Sequence, residues 1–342
     1  MKRATIKDLA EAAGVSVATV NRVIGRSGPV SESTVQRVLE AAREVGFYGL
    51  AGLEHGASGT KRKLRVGFVI QSPHRLFATT LAKAIENCAA AGEVSDVQPV
   101  VELIDDLSPE SVSTRMLALG AECDALGVLA AEHPIVTEAI ERLASSGVPV
   151  IALITALSAR TNVGYVGLDS WKVGRTAAWA LHHMCAPGKK IGMFVGTHRY
   201  RCHDLYESGF RSHFREHANS FTLLEPVSTF ESDAIAREIT EDLLHKHRDL
   251  GGLYVSGGGI GGVIAALRAG GGGREIVTIS HDLMETTRAG LLDGSLTLVI
   301  SHPFSTVARE TLAALVRAKN AGPEAGTQSV IVPFEIYNSE NL

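Results

Sequence analysis

Cysteine is scarce in this 342-residue chain, and long apolar runs are absent. Its four cysteines, Cys88, Cys123, Cys185 and Cys202, are scattered without a C-x-x-C pair, so neither a disulfide framework nor a zinc site is expected. The longest apolar stretches, such as RVGFVI and GVPVIALI, fall well short of the roughly 20 residues that cross a bilayer. The opening MKRATIKDLA has no apolar signal region, and a soluble, cytoplasmic protein is the expectation. Disorder is not expected either, because 45% hydrophobic content can fill the cores of two domains.

Net charge is also small, −4, but it is unevenly spread. Residues 1–63 hold ten Lys/Arg against six Asp/Glu, which makes this segment +4 and the remainder −8. A basic head on an acidic body suits a polyanion-binding module joined to a part with another task.

The stretch LYVSGGGIGGVIAAL points elsewhere. Gly257, Gly259 and Gly262 form G-x-G-x-x-G between an apolar β-type run and an apolar helical run. Asp282 closes the next β-type run about 20 residues on, where a dinucleotide fold places its ribose-binding acid. An NAD-linked oxidoreductase is therefore an alternative reading. Position argues against it: the unit begins about 250 residues into the chain and leaves too little for a second nucleotide-binding half.

Residues 5–48 read as three short helices, TIKDLAEAAG, SVATVNRVIG and SESTVQRVLEAAREVGF, each opened by a hydroxyl side chain. Thr5 and Ser31 can accept from orphan backbone N–H groups at their helix starts. Ile6, Leu9, Ala10, Val15, Val20, Val23, Ile24, Val35, Val38, Leu39 and Ala42 recur at helical spacing and can form one small core. Ala13-Gly14-Val15-Ser16 offers a glycine for a left-handed turn and then a serine cap, the chemistry of a helix-turn-helix.

In such a motif the second helix enters the major groove with its N-terminal side chains toward the bases. Val17 and Ala18 would face thymine methyls, with Asn21 and Arg22 one turn later. Arg22 is the expected reader of guanine O6 and N7, a contact worth about 1–3 kcal/mol of discrimination. Thr5, Ser16 and Thr19 suit phosphates, which set register without reading sequence.

The run T-I-K-D-L-A-E-A-A-G-V-S-V-A-T-V-N-R-V-I resembles the opening of LacI/GalR (lactose-repressor) family transcription regulators, with the likeness specific over residues 4–47. The resemblance implies a dimer reading a pseudo-palindromic operator. It places Thr5, Ser16, Thr19 and Arg22 on DNA and Val17 and Ala18 at variable specificity positions. Asn21 stands where serine is usual, and Gly25 where asparagine is common. The family's hinge helix maps onto FYGLAGLEHGASGTKRKLR, with Gly49 at its proline and Gly56 at its minor-groove leucine. Gly49, Gly52 and Gly56 would each cost a helix roughly 1 kcal/mol, so Leu50 or Leu53 is the expected wedge in a helix formed only on DNA. A flexible linker is the competing expectation.

From residue 64, short apolar runs alternate with amphipathic segments in two series, the second opening at NVGYVGL and ending with SLTLVISHPF and its closing helix. That pattern signals parallel sheets with crossover helices and two similar lobes. The body resembles the family's periplasmic-binding-protein-like sensor. The implied architecture is an all-α helix-turn-helix head (1–48), a linker (49–63), and an α/β two-lobed sensing and dimerisation domain (64–342).

A sugar-like effector is expected because such clefts combine a flat aromatic face with bidentate polar groups. Phe77, Asp169, Trp171 and Asp282 supply these at strand ends, and Arg199 and Tyr206 stand near the position of a family arginine. Gly257-Gly258 replaces the family's asparagine-aspartate pair, which suggests a ligand unlike the better-known hexoses and purines. His74, His198, His203, His281 and His302 are expected in strand-end loops, without H-x-x-x-H or H-E-x-x-H spacing among them, and no metal site is expected in the chain. No G-x-S-x-G elbow supports a catalytic triad. The reading is a DNA-binding regulator, a repressor by resemblance, with operator DNA, a small effector and a second copy of itself as partners and no cofactor. A cytoplasmic sugar-binding protein without DNA function is the other alternative.

Overall fold

A computed structural model describes residues 4–25, 30–47, 63–71, 75–217, 220–270, 275–322 and 326–342. Leu50, Leu53 and the hinge reading, and His74, lie outside the described residues. The chain divides into two compact units, Met1–Lys63 and Leu64–Leu342.

The first unit holds helices α1 (Ile6–Ala12), α2 (Val17–Gly25) and α3 (Glu32–Glu44). Thr5 opens α1 with a capping box: its Oγ1 accepts the Asp8 N–H at 3.3 Å, while Asp8 Oδ2 accepts the Thr5 N–H at 2.8 Å. Gly14 (φ +62°) ends α1, with Val15 N–H donating to Ala10 O at 3.0 Å and Gly14 N–H to Glu11 O at 3.2 Å. This Schellman turn reverses the chain into α2. Leu9, Val20, Val38 and Ala42 form the centre of the core. Two expectations fail. Ile24 is exposed, lying beyond the Val20–Val23 stripe, and Ser31 makes no cap bond to backbone because its hydroxyl pairs with Thr34 Oγ1 at 2.8 Å.

The second unit contains two sheets. The first runs β12 (Ser329–Ile331), β5 (Gly164–Gly167), β4 (Val150–Leu153), β3 (Ala125–Leu129), β1 (Leu64–Gln71), β2 (Val97–Ile104), all parallel. The second runs β13 (Glu335–Tyr337), β11 (Leu298–Ser301), β10 (Val277–His281), β9 (Leu250–Ser256), β6 (Lys190–Val195), β7 (Thr222–Leu223), with β8 (Val227–Ser228) also on β6. Only β13 is antiparallel. Strands such as β1 and β9 are apolar almost throughout, because helices cover both faces of a parallel sheet.

Crossover helices are α4 (Arg75–Ala90), α5 (Pro109–Gly120) and α6 (Pro134–Ser145) in the first lobe. In the second they are α7 (Ser170–Met184), α8 (Arg201–His217), α9 (Asp233–Lys246), α10 (Ile260–Gly270) and α11 (Glu285–Leu292). The final helix α12 (Phe304–Ala321) returns to the first lobe and packs on α4, β3, β4 and β5.

The two-series reading therefore misplaces two pieces. NVGYVGL belongs to the first sheet, beside β4, because residues 154–163 form a crossover without a helix to mark the change. The closing helix also crosses over. FTLLEPVS splits into β7 and β8, since Pro226 has no N–H for the ladder.

Candidate functional site

On α2, Val17, Ala18, Asn21 and Arg22 are exposed and share one face, opposite buried Val20 and Val23. Ser16 Oγ accepts the Thr19 N–H at 3.1 Å and lies 2.9 Å from Thr19 Oγ1, which fixes the start of this helix. Among the described residues Arg22 has no ion-pair partner, so its guanidinium is available to a ligand.

In the second unit, the carboxyl ends of both sheets converge on a cavity of about 120 Å³. From the first lobe come Gln71 (end of β1), Leu129 (end of β3), Ile154 and Thr155 (after β4), and Phe77 from the first turn of α4. The second lobe adds Tyr206 from α8, Glu231 after β8, Gly257 and Gly258 after β9, His281 and Asp282 at the end of β10, and His302 after β11. This is where open α/β sheets bind ligands. Ile154 (φ +65°), Glu231 (φ +60°) and Asp282 (φ +59°) hold left-handed backbone here. Such conformations persist only where packing over-determines them, and they concentrate at binding sites.

The lobes are latched along residues 199–202. Tyr200 Oη donates to Gln71 Oε1 at 3.3 Å, Glu132 N–H to Arg199 O at 3.0 Å and Arg199 Nη2 to Leu107 O at 3.4 Å. Arg201 Nη1 donates to Ser158 Oγ at 3.1 Å and Cys202 N–H to Thr155 Oγ1 at 3.2 Å. These bonds hold the two lobes together beside the cavity.

Charge inside it is controlled by burial. Desolvation lowers His281 to about 3 and His203 to about 4, so both are neutral near pH 7. His281 Nε2 lies 2.7 Å from Tyr254 Oη, and its ring lies 4.6 Å from that of Tyr206. Burial raises Glu231 to about 7, partly opposed by the Gly258 N–H that donates to its Oε2 at 2.8 Å. Burial also opposes charge on Asp282, but His302 beside it wins and holds that carboxyl below its usual range. Asp282 Oδ1 accepts the His302 N–H at 2.9 Å and lies 2.7 Å from His302 Nδ1. With Nδ1 so engaged, His302 Nε2 is buried without a hydrogen-bond partner. Burial pushes the Cys202 thiol up to about 12, which removes it as a nucleophile near neutrality.

Of the residues expected to meet an effector, Phe77, Tyr206 and Asp282 line the cavity, and Asp169, Trp171 and Arg199 do not. Asp169 is the N-cap of α7, accepting the Lys172 N–H at 3.1 Å and pairing with Lys172 Nζ at 3.1 Å. Trp171, one residue into that helix, points to the outer face, where Arg175 stacks 4.9 Å from its ring. Arg199 is spent on the latch. Gln71, Glu231, His203, His281 and His302 were not singled out as effector contacts. The histidines carried a signal, their strand-end positions, although His203 lies in the first turns of α8.

The glycine fingerprint also resolves. Gly257 (φ +136°) packs against the Gly196 backbone, and Gly262 lies against Asp233 O where a Cβ would collide. The amides a pyrophosphate would use are occupied by carboxylates: Glu231 on Gly258 N–H, and Asp233 Oδ1 on Gly262 N–H at 3.2 Å. A site filled by its own anions rejects a phosphate, and a cavity of about 120 Å³ holds no dinucleotide.

Two hydrogen-bonded lobes around a strand-end cavity, preceded in the chain by a helix-turn-helix, define the class: a two-lobed α/β domain of the binding-protein type with a helix-turn-helix head. The chain belongs to the periplasmic binding protein domain family, matched over residues 66–323, and its head, residues 5–49, matches the lacI family of bacterial regulatory proteins. It is 28% identical over 193 residues to catabolite control protein A of Priestia megaterium, covering 56% of this chain and 55% of that one. It is likewise 28% identical over 191 residues to the sucrose operon repressor of Pediococcus pentosaceus, covering 56% and 54%. The chain thus spans about half the length of the curated relatives it matches. In fold it is similar to a periplasmic solute-binding protein from Actinobacillus succinogenes 130z with bound D-allose, with a TM-score of 0.73 and 15% identity over 82% of this chain and 99% of that one. No described helix is long and apolar enough to cross a membrane.

Proposed function

We propose that this chain is a one-component transcription regulator, acting as a repressor, in which a small neutral polyhydroxylated molecule closes the cleft and thereby sets the affinity of the head for operator DNA. It acts in the cytoplasm as a homodimer, one head per half-site, and performs no catalysis. Thr5, Ser16 and Thr19 hold phosphates, while Val17, Ala18, Asn21 and Arg22 face the bases.

The observation that carries the ligand reading is His302 Nε2: a buried, unpartnered nitrogen in a cavity wall, its ring held by Asp282. Leaving such an atom without a partner costs about 1–3 kcal/mol, which a ligand hydroxyl recovers. His203 and His281, neutral near pH 7, belong to a side chain that can donate from one nitrogen and accept at the other, as hydroxyls do. Among the described lining residues there is no Lys or Arg, which favours an uncharged sugar over a phosphorylated one. Tyr206 and Phe77 supply the aromatic faces, and Asp282 the acceptor. A cavity of about 120 Å³ suits one ring; an engineered apolar cavity of about 150 Å³ takes benzene. The sucrose operon repressor's name supports the same ligand class.

The test is a thermal-shift screen of monosaccharides, polyols and sugar phosphates, with NAD included. A ligand at 100 times its Kd adds about 2.7 kcal/mol of stability. Selection of bound DNA with and without the hit then gives the operator and the sign of the effect. Stabilisation by NAD alone, with no DNA recovered, would overturn the reading.

A further inference from the structure

The outer face of α7 and α8, away from the cavity, gathers four histidines that the regulatory reading does not use: His182 and His183 on α7, His213 and His217 on α8. His213-Phe214-Arg215-Glu216-His217 is an H-x-x-x-H segment, the spacing that the strand-end histidines lack. On a helix, residues four apart project to one side, and the two rings are 5.1 Å apart. The neighbouring helix supplies a third ring, with His182 Nδ1 only 3.3 Å from His213 Nε2.

We propose that His182, His213 and His217 bind a divalent transition-metal ion, with zinc as the reference ion and water completing a tetrahedron. Two ligands of a tetrahedral ion with bonds of about 2.0–2.1 Å are roughly 3.3–3.4 Å apart, which is the separation already held by His182 and His213. No group of three such donors among the described residues stands in metal-holding geometry as it is. Rotation of the exposed His217 side chain completes the set. Its Nε2 now lies 3.4 Å from Glu216 Oε2, while His213 is buried.

The electrostatics agree. Arg175, on the same face, is neutralised by a bidentate pair with Glu216 at 3.0 and 2.8 Å. Close approach of the helices fixes the rings relative to each other, because Gly174 lies against Tyr206 O and Gly209 against Trp171 O where any side chain would collide.

Both tryptophans of the chain, Trp171 and Trp179, stand on this face, with Trp179 stacked 4.8 Å from His183. Intrinsic fluorescence therefore reports on it directly. The untagged full chain, stripped with EDTA, is titrated with ZnCl2 against a chromogenic chelator and, separately, with NiCl2 while tryptophan emission is followed. The expected result is one Zn²⁺ per chain and quenching by Ni²⁺. His182→Gln and His217→Gln should each weaken Zn²⁺ at least about tenfold, the least that loss of even an outer partner costs a zinc site. His245→Gln, an exposed histidine on another helix, should change nothing. Circular dichroism confirms that the variants fold. No zinc binding, or binding of equal strength in the two ligand variants, overturns the proposal.

Discussion

His302 Nδ1 lies 2.7 Å from Asp282 Oδ1, and the same oxygen accepts the His302 backbone N–H at 2.9 Å. One carboxylate oxygen thus sets both the position and the ring orientation of a cavity-lining residue whose other ring nitrogen is buried without a partner. Asp282 does so from left-handed backbone (φ +59°), which aspartate and asparagine tolerate better than other side chains. Asp282→Ala leaves the His302 donors unmet, about 1–3 kcal/mol, and adds about 1–2 kcal/mol for the backbone. Asp282→Asn, which keeps a carbonyl acceptor, loses less. Urea denaturation measures both; equal losses would contradict this account.

Glu231 makes stability depend on pH. Its pKa rises from 4.5 unfolded to about 7 folded, so the folded state holds a proton that the unfolded state releases. The favourable contribution is complete below pH 4.5 and is lost as pH rises through 7. Glu231→Gln removes the dependence while keeping an acceptor for Gly258 N–H. Relative to the native protein, the variant gains stability from pH 4.5 upward and levels off at about 3 kcal/mol above pH 7. Denaturation at pH 5, 6, 7 and 8 gives the difference curve.

Gly262→Ala tests the packing role of the glycine loop. The added methyl meets Asp233 O, a backbone atom that no rotamer change can move. The expected cost is at least the 1–3 kcal/mol typical of overpacking, seen as a lowered Tm. Gly326→Ala, where a Cβ meets nothing within 4 Å, is the control and should be near neutral.

Arg22→Ala on the head should weaken binding to a selected operator by about 1–3 kcal/mol and relax preference at one base step. Thr19→Ala should weaken all sequences about equally, since a phosphate contact carries no base information. Fluorescence anisotropy on the operator and on scrambled duplexes separates the two patterns.

Local chemistry made much of this protein readable. Thr5 with Asp8, Gly14 before Ser16, and the helical spacing of the apolar residues around Leu9, Val20 and Val38 each act within a few residues, so the helix-turn-helix is legible in the sequence. The alternation of apolar runs revealed parallel sheets for the same reason. Failures came where a choice is made by distant partners. Asp169 satisfies a helix start as readily as a ligand, and Trp171 sits one residue further round α7, on the outside. The H-x-x-x-H at His213 and His217 is visible in the sequence, but nothing there announces that His182 lies 3.3 Å away.

Taken alone, the sequence determined a basic three-helix head, a two-lobed α/β body and a set of polar and aromatic residues at strand ends, because caps, turns and hydrophobic period are short-range physics. Only the tertiary structure decided what the glycines of GGGIGG are for. Their amides could have cradled a pyrophosphate; Glu231 and Asp233, delivered by other elements, occupy them instead. Charge and space at a site are sums over the whole fold, and that is why they could not be read from one stretch of chain.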